Sequence, residues 1–469
     1  MNGRLIKAGE LNKQIETIVE NAGVPGMSFA VIAGDKVVFY HTYGYKRYVR
    51  AKDGMLKGKK RINKKTVFEA CSLSKTFLTF AVLRLVEKGL LSLDTPLYRY
   101  LPNPRLAHDE RYKKITGRMV LSHCSGLENW KSYNNPDSLE IMSEPGAQFT
   151  YSGEGYVYLS QVCEKLLGKS TESYLKELVY DPLKLRRTFT VFDSDTSRPR
   201  NYSQGHDDFL QTIPKEKNTT PNVAALITTT ANDYAHLLIG LYHSGYLSQA
   251  RLGEIASTKT TVDDLSYWGE GIAIYAKNGD TIAYQPGEND YFKGLGMYQP
   301  AKGIGFVMFM NGRRGKLIED TIMKMTLHCF TEPKDADQYP NIVFDVLAAY
   351  RRKGRDEAEN RFRQNLRLYD SSSLKSNLDE LTNLFLEKEP AFAVVIAQEY
   401  MTRYPYITEA SILHGKAMMQ SRRFREAIGD FERAIAMDKS LQERLQSSIT
   451  QCREQLKKGH GQFKIISVN

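Results

Sequence analysis

The chain has 469 residues, of which 41% are hydrophobic and 25% charged, and its formal net charge is +11. This composition is typical of a globular protein, and the length favours two or three domains over a single core. No apolar stretch approaches the roughly 20 residues that a membrane-spanning helix requires, so we expect no span. Residues 1–13 lack the apolar core of a signal peptide. The cellular compartment of the protein stays open. We expect a cytoplasmic protein from the chain as it stands, and a periplasmic or otherwise extracytoplasmic one if a leader has been removed.

The cysteines are odd in number, widely separated, and mostly set in apolar stretches. We therefore expect buried free thiols rather than a disulfide framework or a metal site. They are Cys71, Cys124, Cys163, Cys329 and Cys452. The sequence also lacks an HExxH pair, a phosphate-binding glycine loop and paired CxxC motifs. We expect no metal and no other cofactor.

In chain order, a helix is predicted first, over residues 10–22, because apolar residues recur there at helical spacing. Two strands are predicted next, over residues 27–33 and 37–43, with Gly34-Asp35 as the turn between them. A hairpin this early indicates an antiparallel sheet rather than a β-α-β unit.

The following segment, residues 46–65, carries ten Lys or Arg residues and one acidic residue, Asp53. Such a concentration of charge could attract an anionic substrate or a polyanionic surface. It has neither a helical stripe of cations nor stacking aromatics between them, so we expect no nucleic-acid binding. The segment is predicted to be a solvated loop, and whether this basic loop borders a cleft stays open.

Residues 68–77 combine a serine and a lysine, three positions apart, with the start of an apolar helix. Residues at that spacing lie on one face of a helix, so the Ser72 hydroxyl and the Lys75 amine can meet. A neutral amine can take the hydroxyl proton, and burial in the helix would lower the lysine pKa as a general base requires. A helix N-terminus also offers N–H groups to an oxyanion. The alternative is a serine and a lysine that merely open a core helix.

From about residue 90 to 260 the pattern predicts mostly helices and long loops, and then strand patterns return. The late strands are predicted over 271–275, 281–284, 292–298 and 304–310, followed by a helix over 318–330. Their alternation predicts a meander that completes the sheet begun by the early hairpin. The predicted fold class is α/β in the α+β sense: an antiparallel sheet flanked by helices, with an inserted helical subdomain. We assign this domain to residues 1–333.

Residues 334–469 are charged and helical, without strand patterns, and predict an all-helical C-terminal domain. Two loose sets of residues sit at tetratricopeptide-repeat (TPR) spacings: Gly415, Ala427, Phe431 and Ala434, and before them Ala393, Ala397, Tyr400 and Pro405. Small residues at such positions let paired helices approach closely, and stacked units bury a face that none could bury alone. The alternative is a plain helical hairpin that caps the first domain. A TPR-like domain could also bind a protein partner.

Three further segments carry a family resemblance. Residues 115–127 read ITGRMVLSHCSGL, residues 145–156 read PGAQFTYSGEGY, and residues 224–233 read AALITTTAND. Together with FEACSLSKTF at 68–77, they resemble the ordered motifs of serine β-lactamases of the class C kind. Related penicillin-binding D-alanyl-D-alanine carboxypeptidases and esterases share these motifs. The resemblance covers roughly residues 11–330 and implies a β-lactamase/transpeptidase-like fold with serine hydrolase activity.

The resemblance also implies roles for the matching residues. Ser72 would be the acylated nucleophile, and Lys75 and Tyr151 would share proton transfer. A tyrosinate or a neutral lysine at neutral pH needs a depressed pKa. The lysine cation or the tyrosine phenolate could each supply that shift for the other residue. The backbone N–H groups of Ser72 and Glu288 would form the oxyanion hole. His123 is expected to pack and to hydrogen-bond within its turn rather than to catalyse.

Two departures from the family pattern bear on the substrate. The family's Tyr-x-Asn is Tyr151-Ser152-Gly153 here, so the amide that helps hold the substrate's acyl amide is missing. The third motif, Lys-Thr-Gly or His-x-Gly, aligns with Gln285-Pro286-Gly287. Backbone donors need no particular side chain, so the oxyanion hole can survive. Gln285 still donates hydrogen bonds but carries no charge, which disfavours a substrate with a free C-terminal carboxylate.

Two hypotheses follow. The first is a serine hydrolase that cleaves an amide or ester in a small-molecule or peptide substrate through a Ser72 acyl-enzyme. The second is a catalytically impaired scaffold that binds a peptide or protein partner through its TPR-like tail. The combination of Ser72, Lys75 and Tyr151 favours the first, although a fold by itself does not decide function.

Overall fold

The computed structural model describes residues 7–50, 56–132, 135–192, 201–215, 218–277, 280–327, 342–368 and 371–460. The chain divides into two units, Met1–Ala336 and Asp337–Asn469. The boundary predicted between residues 333 and 334 lies outside the described residues.

The first unit is built on a nine-stranded sheet in the order β3-β2-β1-β13-β12-β11-β10-β9-β8. Its strands are β1 (Gly26–Ala33), β2 (Lys36–Arg50), β3 (Leu56–Arg61), β8 (Thr260–Thr261), β9 (Ser266–Trp268), β10 (Ala273–Lys277), β11 (Asp280–Asn289), β12 (Phe292–Gln299) and β13 (Ile304–Met310). Two small ladders pair β4 (Phe68–Glu69) with β7 (Thr228–Thr229) and β5 (Gly205–His206) with β6 (Thr212–Ile213). Every named strand pair is antiparallel.

The two ends of this unit meet in the middle of the sheet. β1 pairs with β13 from Met27↔Met310 to Ile32↔Gly305, so the early hairpin and the late meander form one layer. Side chains of both strands are almost entirely buried, as expected for strands covered on both faces. The predicted antiparallel sheet with a helical insertion is confirmed.

The prediction of a solvated loop over residues 46–65 is wrong. Residues 46–50 form the end of β2, and β3 pairs with them from Tyr45↔Arg61 to Arg50↔Leu56 as the edge strand of the sheet. Residues 51–55 lie outside the described residues. Apolar and polar residues do not alternate in this two-stranded ribbon, so hydrophobic periodicity did not predict its strands. Lysines on an edge strand also discourage pairing with other chains.

Helices cover the sheet and form the inserted region. They are α1 (Ala8–Asn21), α2 (Ser74–Glu87), α3 (Gly117–Leu121), α4 (Gly153–Leu167), α5 (Thr171–Leu175), α6 (Ala231–His243), α7 (Gln249–Ser257) and α8 (Glu319–Thr326). α2 is buried from Ser74 to Leu83 without a break. Phe77 on α2 packs edge-on against Tyr180 and Tyr234, with 6.0 and 5.7 Å between ring centroids. Over this stretch the helix has no solvent-facing stripe, so its polar residues, such as Thr76 and Thr79, are buried as well and form hydrogen bonds inside the protein.

The second unit is helical throughout its described residues. Its helices are α9 (Ile342–Lys353), α10 (Arg355–Asn365), α11 (Ser371–Phe385), α12 (Pro390–Arg403), α13 (Thr408–Gln420), α14 (Phe424–Met437) and α15 (Gln442–His460). Gly415 on α13 lies against the Phe431 ring on α14, so that a Cβ at position 415 would be 2.7 Å from Phe431 Cε1. This contact is the close helix approach that the small residue permits. The TPR-like assignment itself stays a prediction.

Four cysteines, Cys71, Cys124, Cys163 and Cys452, are free and buried, as the sequence predicts. Cys329 lies outside the described residues. Within the described ranges, none of the helices has the length and apolar character needed to cross a membrane.

We predict that Gly415→Ala destabilises the helical unit because the new methyl group would press into the Phe431 ring. Overpacking of this kind costs about 1–3 kcal/mol. Gly429→Ala on α14 is the matched control, because its Cβ would meet nothing within 4 Å. Both changes gain helix propensity, so the difference between their free energies of unfolding isolates the steric cost. Urea unfolding followed by circular dichroism measures it, and equal stability of the two variants would contradict the prediction.

Candidate active site

Ser72 sits in a single 3-10 turn, Cys71–Leu73, that runs directly into α2. Its neighbours Cys71 and Leu73 are fully buried, whereas Ser72 is half-buried and reaches the surface. Cys71 has a φ of 52°, in the left-handed region. A non-glycine residue there stores on the order of 1–3 kcal/mol of strain, which the surrounding structure must hold in place. The turn is therefore a strained element that presents one hydroxyl.

A glycine in strand β11 allows the Ser72 turn to approach the sheet closely. A Cβ at Gly287 of β11 would lie 2.9 Å from the Cys71 Cβ and 3.0 Å from the Ala70 carbonyl oxygen. No larger residue fits without moving the turn. β10 pairs with β11 only as far as Tyr284, and residues 285–289 of β11 continue beside the turn. The third predicted motif is thus adjacent to Ser72.

Lys75 lies in the first turn of α2 and is 0% exposed. Its Nζ donates a hydrogen bond to the Ala224 carbonyl oxygen at 2.8 Å and lies 4.7 Å from the centroid of the Tyr151 ring. Burial lowers the pKa of the Lys75 amine to about 7. A neutral amine that can accept a proton is therefore well populated near neutral pH.

Tyr151 precedes α4 and faces the same space. Burial raises the pKa of its hydroxyl to about 12, and interactions with the side chains of Ser72 and Gln285 partly oppose this rise. Of the two alternatives in the sequence interpretation, burial thus favours a neutral lysine over a tyrosinate. The phenol keeps its proton at neutral pH and can pass one on.

His123 packs and forms a hydrogen bond, as the sequence predicts, and the group on which it packs is Tyr151. Its ring stacks on the Tyr151 ring at 4.1 Å, and its Nδ1 accepts a hydrogen bond from the Ser152 backbone N–H at 3.0 Å. Burial, and secondarily the nearby Lys75, hold the pKa of His123 well below its ordinary value. The ring is therefore neutral and acts as an acceptor that orients the tyrosine segment.

The structure gives a reason for glycine at position 153. A Cβ on Gly153 would lie 2.7 Å from the Trp130 ring, so the tryptophan fills the space that an asparagine side chain would enter. Trp130 is 43% exposed, and its ring centroid is 5.9 Å from Lys75 Nζ. Sequence reasoning missed this residue because no motif marks it. It lies shortly after Gly126-Leu127, in a segment without periodicity.

Gln285 and Glu288 lie on opposite faces of β11, as the alternation of a strand requires. Gln285 is 0% exposed and donates from Nε2 to the Pro286 carbonyl oxygen at 2.9 Å. The Glu288 carboxylate forms ion pairs of 2.7 Å with Lys293 and with Lys316. Its side chain is thus occupied by these cations, and only its backbone is left for an oxyanion.

A cavity of about 280 Å³ is lined by Glu69, shortly before the Ser72 turn, and by Asn289 at the end of β11, whereas Ser72 itself does not line it. Lys215 and Glu69, both nearly buried, pair on its wall at 2.5 Å, and the Asn289 amide also donates to Glu69. Because these charges compensate one another, the wall is polar without a strong net charge. Neither here nor at any other place in the described residues are three or more His, Cys, Asp or Glu side chains arranged to hold a metal ion.

The beta-lactamase family profile matches residues 11–323. The chain is 26% identical over 277 residues to Penicillin-binding protein 4* of Bacillus subtilis (strain 168), covering 52% of this chain and 58% of that protein. It therefore spans less than two thirds of that relative's length. It is 21% identical over 368 residues to Protein flp of Staphylococcus aureus (strain MW2), covering 72% of this chain and 70% of that protein.

Two solved structures share the fold. The octameric penicillin-binding protein homologue from Pyrococcus abyssi has a TM-score of 0.56 at 21% identity, over 68% of this chain and 77% of that one. A class C beta-lactamase has a TM-score of 0.54 at 19% identity, and the match covers 64% of this chain and 90% of that one. At this level of identity the likeness shows the fold, which confirms the predicted β-lactamase/transpeptidase-like architecture. With a family match over two thirds of its length, the chain belongs to the beta-lactamase family of serine hydrolases.

Proposed function

We propose that this protein cleaves an amide or ester through an acyl-enzyme on Ser72. The observation that carries the proposal is the Lys75 amine, fully buried and with a pKa of about 7, three residues after a half-exposed serine. Burying a lysine without a carboxylate partner costs free energy, and such perturbed groups concentrate at functional sites. A helix that needed only stability would carry an apolar residue there.

Acylation begins when Ser72 Oγ attacks the carbonyl carbon and its proton passes to neutral Lys75, directly or through the Tyr151 hydroxyl. The oxyanion accepts hydrogen bonds from the backbone N–H groups of Ser72 and Glu288. Collapse of the tetrahedral intermediate breaks the bond to the leaving group, which takes a proton from Tyr151. Lys75 then returns a proton to the phenolate. Tyr151 acts as a relay because its high pKa keeps the hydroxyl protonated between these transfers.

Deacylation repeats these steps with water as the nucleophile. Water adds to the acyl carbonyl, its proton moves to Lys75 through Tyr151, and Ser72 Oγ leaves with a proton from the same pair. Atoms and charges balance without a metal, and the oxyanion donors are used twice. The groups required are the same in both half-reactions.

Two features bear on the substrate. The Trp130 ring fills the place of the family's asparagine amide, which supports an acyl group with an apolar or aromatic portion. Gln285 supplies no cation, which supports a substrate without a free carboxylate at that end. We therefore propose an ester or amide with an uncharged leaving group. A peptide or a small molecule both satisfy this description.

We predict that Ser72→Ala abolishes covalent labelling by an activated serine probe and lowers turnover by about 10⁴-fold or more. Ser173→Ala is the matched control, because this exposed serine also lies three residues before a lysine, Lys176. It should label and react like the wild type. Intact-mass spectrometry measures the adduct, with a penicillin as a second reagent. A Ser72→Ala protein that still takes up the probe would disprove the assignment.

If folded wild-type protein forms no adduct with any probe, the catalytically impaired scaffold becomes the better interpretation. That alternative also requires a partner that binds the helical unit. The two interpretations are therefore separated by the labelling result before any substrate is known.

We predict that the acylation rate depends on pH through Lys75. Below pH 7 the amine is protonated and cannot accept the serine proton, so the rate should rise about tenfold per pH unit and level off above pH 7. Tyr151 adds no falling limb near neutral pH because its pKa is raised to about 12. Pre-steady-state acylation from pH 5 to 9 measures the profile. Lys176→Met should keep it, Lys75→Met should lose the activity, and a flat wild-type profile would count against the proposed base.

We predict that Gly153→Asn is destabilising because its Cβ would collide with the Trp130 ring. The expected cost is about 1–3 kcal/mol. Adding Trp130→Gly should recover most of that cost, which a double-mutant cycle in thermal or chemical unfolding measures. Gly253→Asn on α7 is the control, since a Cβ at this position would meet nothing within 4 Å. If the effects of the changes at positions 153 and 130 on the free energy of unfolding were additive, the packing explanation would fail.

A further inference from the structure

A small basic cavity lies where the β2–β3 ribbon meets the segment before β5. It has a volume of about 170 Å³ and is lined by Lys46, Arg47, Lys60, Tyr202 and Gln204. All three cations belong to the basic segment 46–65, and the proposed hydrolase mechanism assigns no role to that segment. The cavity is distinct from the one lined by Glu69 and Asn289, although Gln204 and its neighbour Gly205 contribute to one each.

Within the described residues, the charges in this cavity are uncompensated. Its lining contains three cations and no carboxylate. In the described part of the chain, no carboxylate lies within ion-pair distance of Lys46, Arg47 or Lys60. Burial, followed by the charges of Lys60 and Arg47, lowers the pKa of Lys46. Three like charges held together repel one another, and a bound anion would remove that cost.

Two polar atoms in the same cavity lack partners. Arg47 Nε is buried without a hydrogen-bond acceptor, and the Gln204 side-chain oxygen is buried without a donor. A buried donor left unpaired costs about as much as a lost hydrogen bond. An oxyanion would accept from Arg47 Nε, and a half-turn of the Gln204 amide would present its NH₂ group as a further donor.

The cavity is held in shape by hydrogen bonds across its walls. The Gln204 backbone N–H donates to the Lys46 carbonyl oxygen at 2.9 Å, and Lys46 Nζ donates to Asn201 Oδ1 at 2.5 Å. Further along, the Thr212 hydroxyl donates to the Tyr48 carbonyl oxygen at 2.7 Å and accepts from the Tyr48 N–H at 3.1 Å. Little ordering is therefore needed before a ligand binds.

We propose that this cavity binds a phosphate-type anion. Three cations match the multiple charge of phosphate, and Arg47 and Lys60 supply the directed donors that such an oxyanion accepts. The volume admits a phosphate group and excludes a folded macromolecule. The group is either free phosphate or a phosphate carried on a larger molecule such as a lipid headgroup. The site does not depend on the proposed hydrolysis and would exist in an inactive protein.

Isothermal titration calorimetry of the full chain with inorganic phosphate, in chloride buffer of low ionic strength, tests the proposal. The wild type should bind about one phosphate per chain, and Lys60→Gln should weaken binding at least about tenfold because an exposed cavity cation is lost. Lys65→Gln is the matched control, since it removes the same charge from an exposed lysine of the basic segment outside the cavity. Its affinity should stay within about twofold of the wild type. Arg47→Gln is a second cavity variant.

A second arm distinguishes the source of the phosphate. Cosedimentation with phosphatidylglycerol vesicles, compared with phosphatidylcholine vesicles, reports binding to a lipid headgroup. Loss of vesicle binding in Lys60→Gln but not in Lys65→Gln upholds the proposal with a lipid phosphate, and phosphate binding alone upholds it with a free anion. The proposal is overturned if folded wild type binds neither probe. It is equally overturned if Lys60→Gln and Lys65→Gln weaken binding to the same extent, because net charge alone would then explain the result.

Discussion

The chemistry of the candidate active site depends on the enclosure of one amine. Lys75 is buried within a helix that is itself covered on all sides, and its hydrogen bond goes to a backbone carbonyl rather than to a carboxylate. Its other neighbours are aromatic faces, which attract a cation only weakly compared with the hydration it has lost. The low pKa follows from this environment. Three parts of the unit create it: helix α2, the Tyr151 segment and the turn that contains Ala224.

A second constraint acts on the serine. Its turn can approach β11 only because residue 287 has no side chain, and the neighbouring Cys71 takes up the resulting strain. Burial raises the pKa of the Cys71 thiol far above its ordinary value, so the cysteine next to Ser72 stays a protonated packing group. The sheet and α2 thus meet at one strained turn, and the half-exposed atom there is the serine hydroxyl. Rigid elements on both sides hold that position.

The differences from the family pattern cluster on the substrate side of the site. Trp130 fills the space next to Gly153, and a compensated pair, Lys215 with Glu69, lines the neighbouring cavity. Trp130 presents an aromatic surface, and the charges of the Lys215–Glu69 pair compensate each other. Among the described residues, Lys46, Arg47 and Lys60 line a separate cavity at the β2–β3 ribbon, so this concentration of positive charge does not lie at Ser72. The backbone around Ser72 can therefore keep the family's arrangement while the neighbouring side chains differ.

The sequence by itself determined the antiparallel sheet, the helical insertion, the helical tail and the Ser72–Lys75 pair, because each is encoded in local periodicity or in a short motif. The family resemblance also predicted that Tyr151 and the Gly287 strand lie near this pair, and the structure places Tyr151 beside Lys75 and Gly287 beside Cys71. The strand character of residues 56–61 was hidden, because pairing with β2 rather than hydrophobic alternation stabilises that ribbon. Trp130, the Ala224 carbonyl and the basic cavity were equally invisible. Their effects arise from residues distant in the chain, and only the tertiary structure brings those groups within contact distance, where burial then decides their charge.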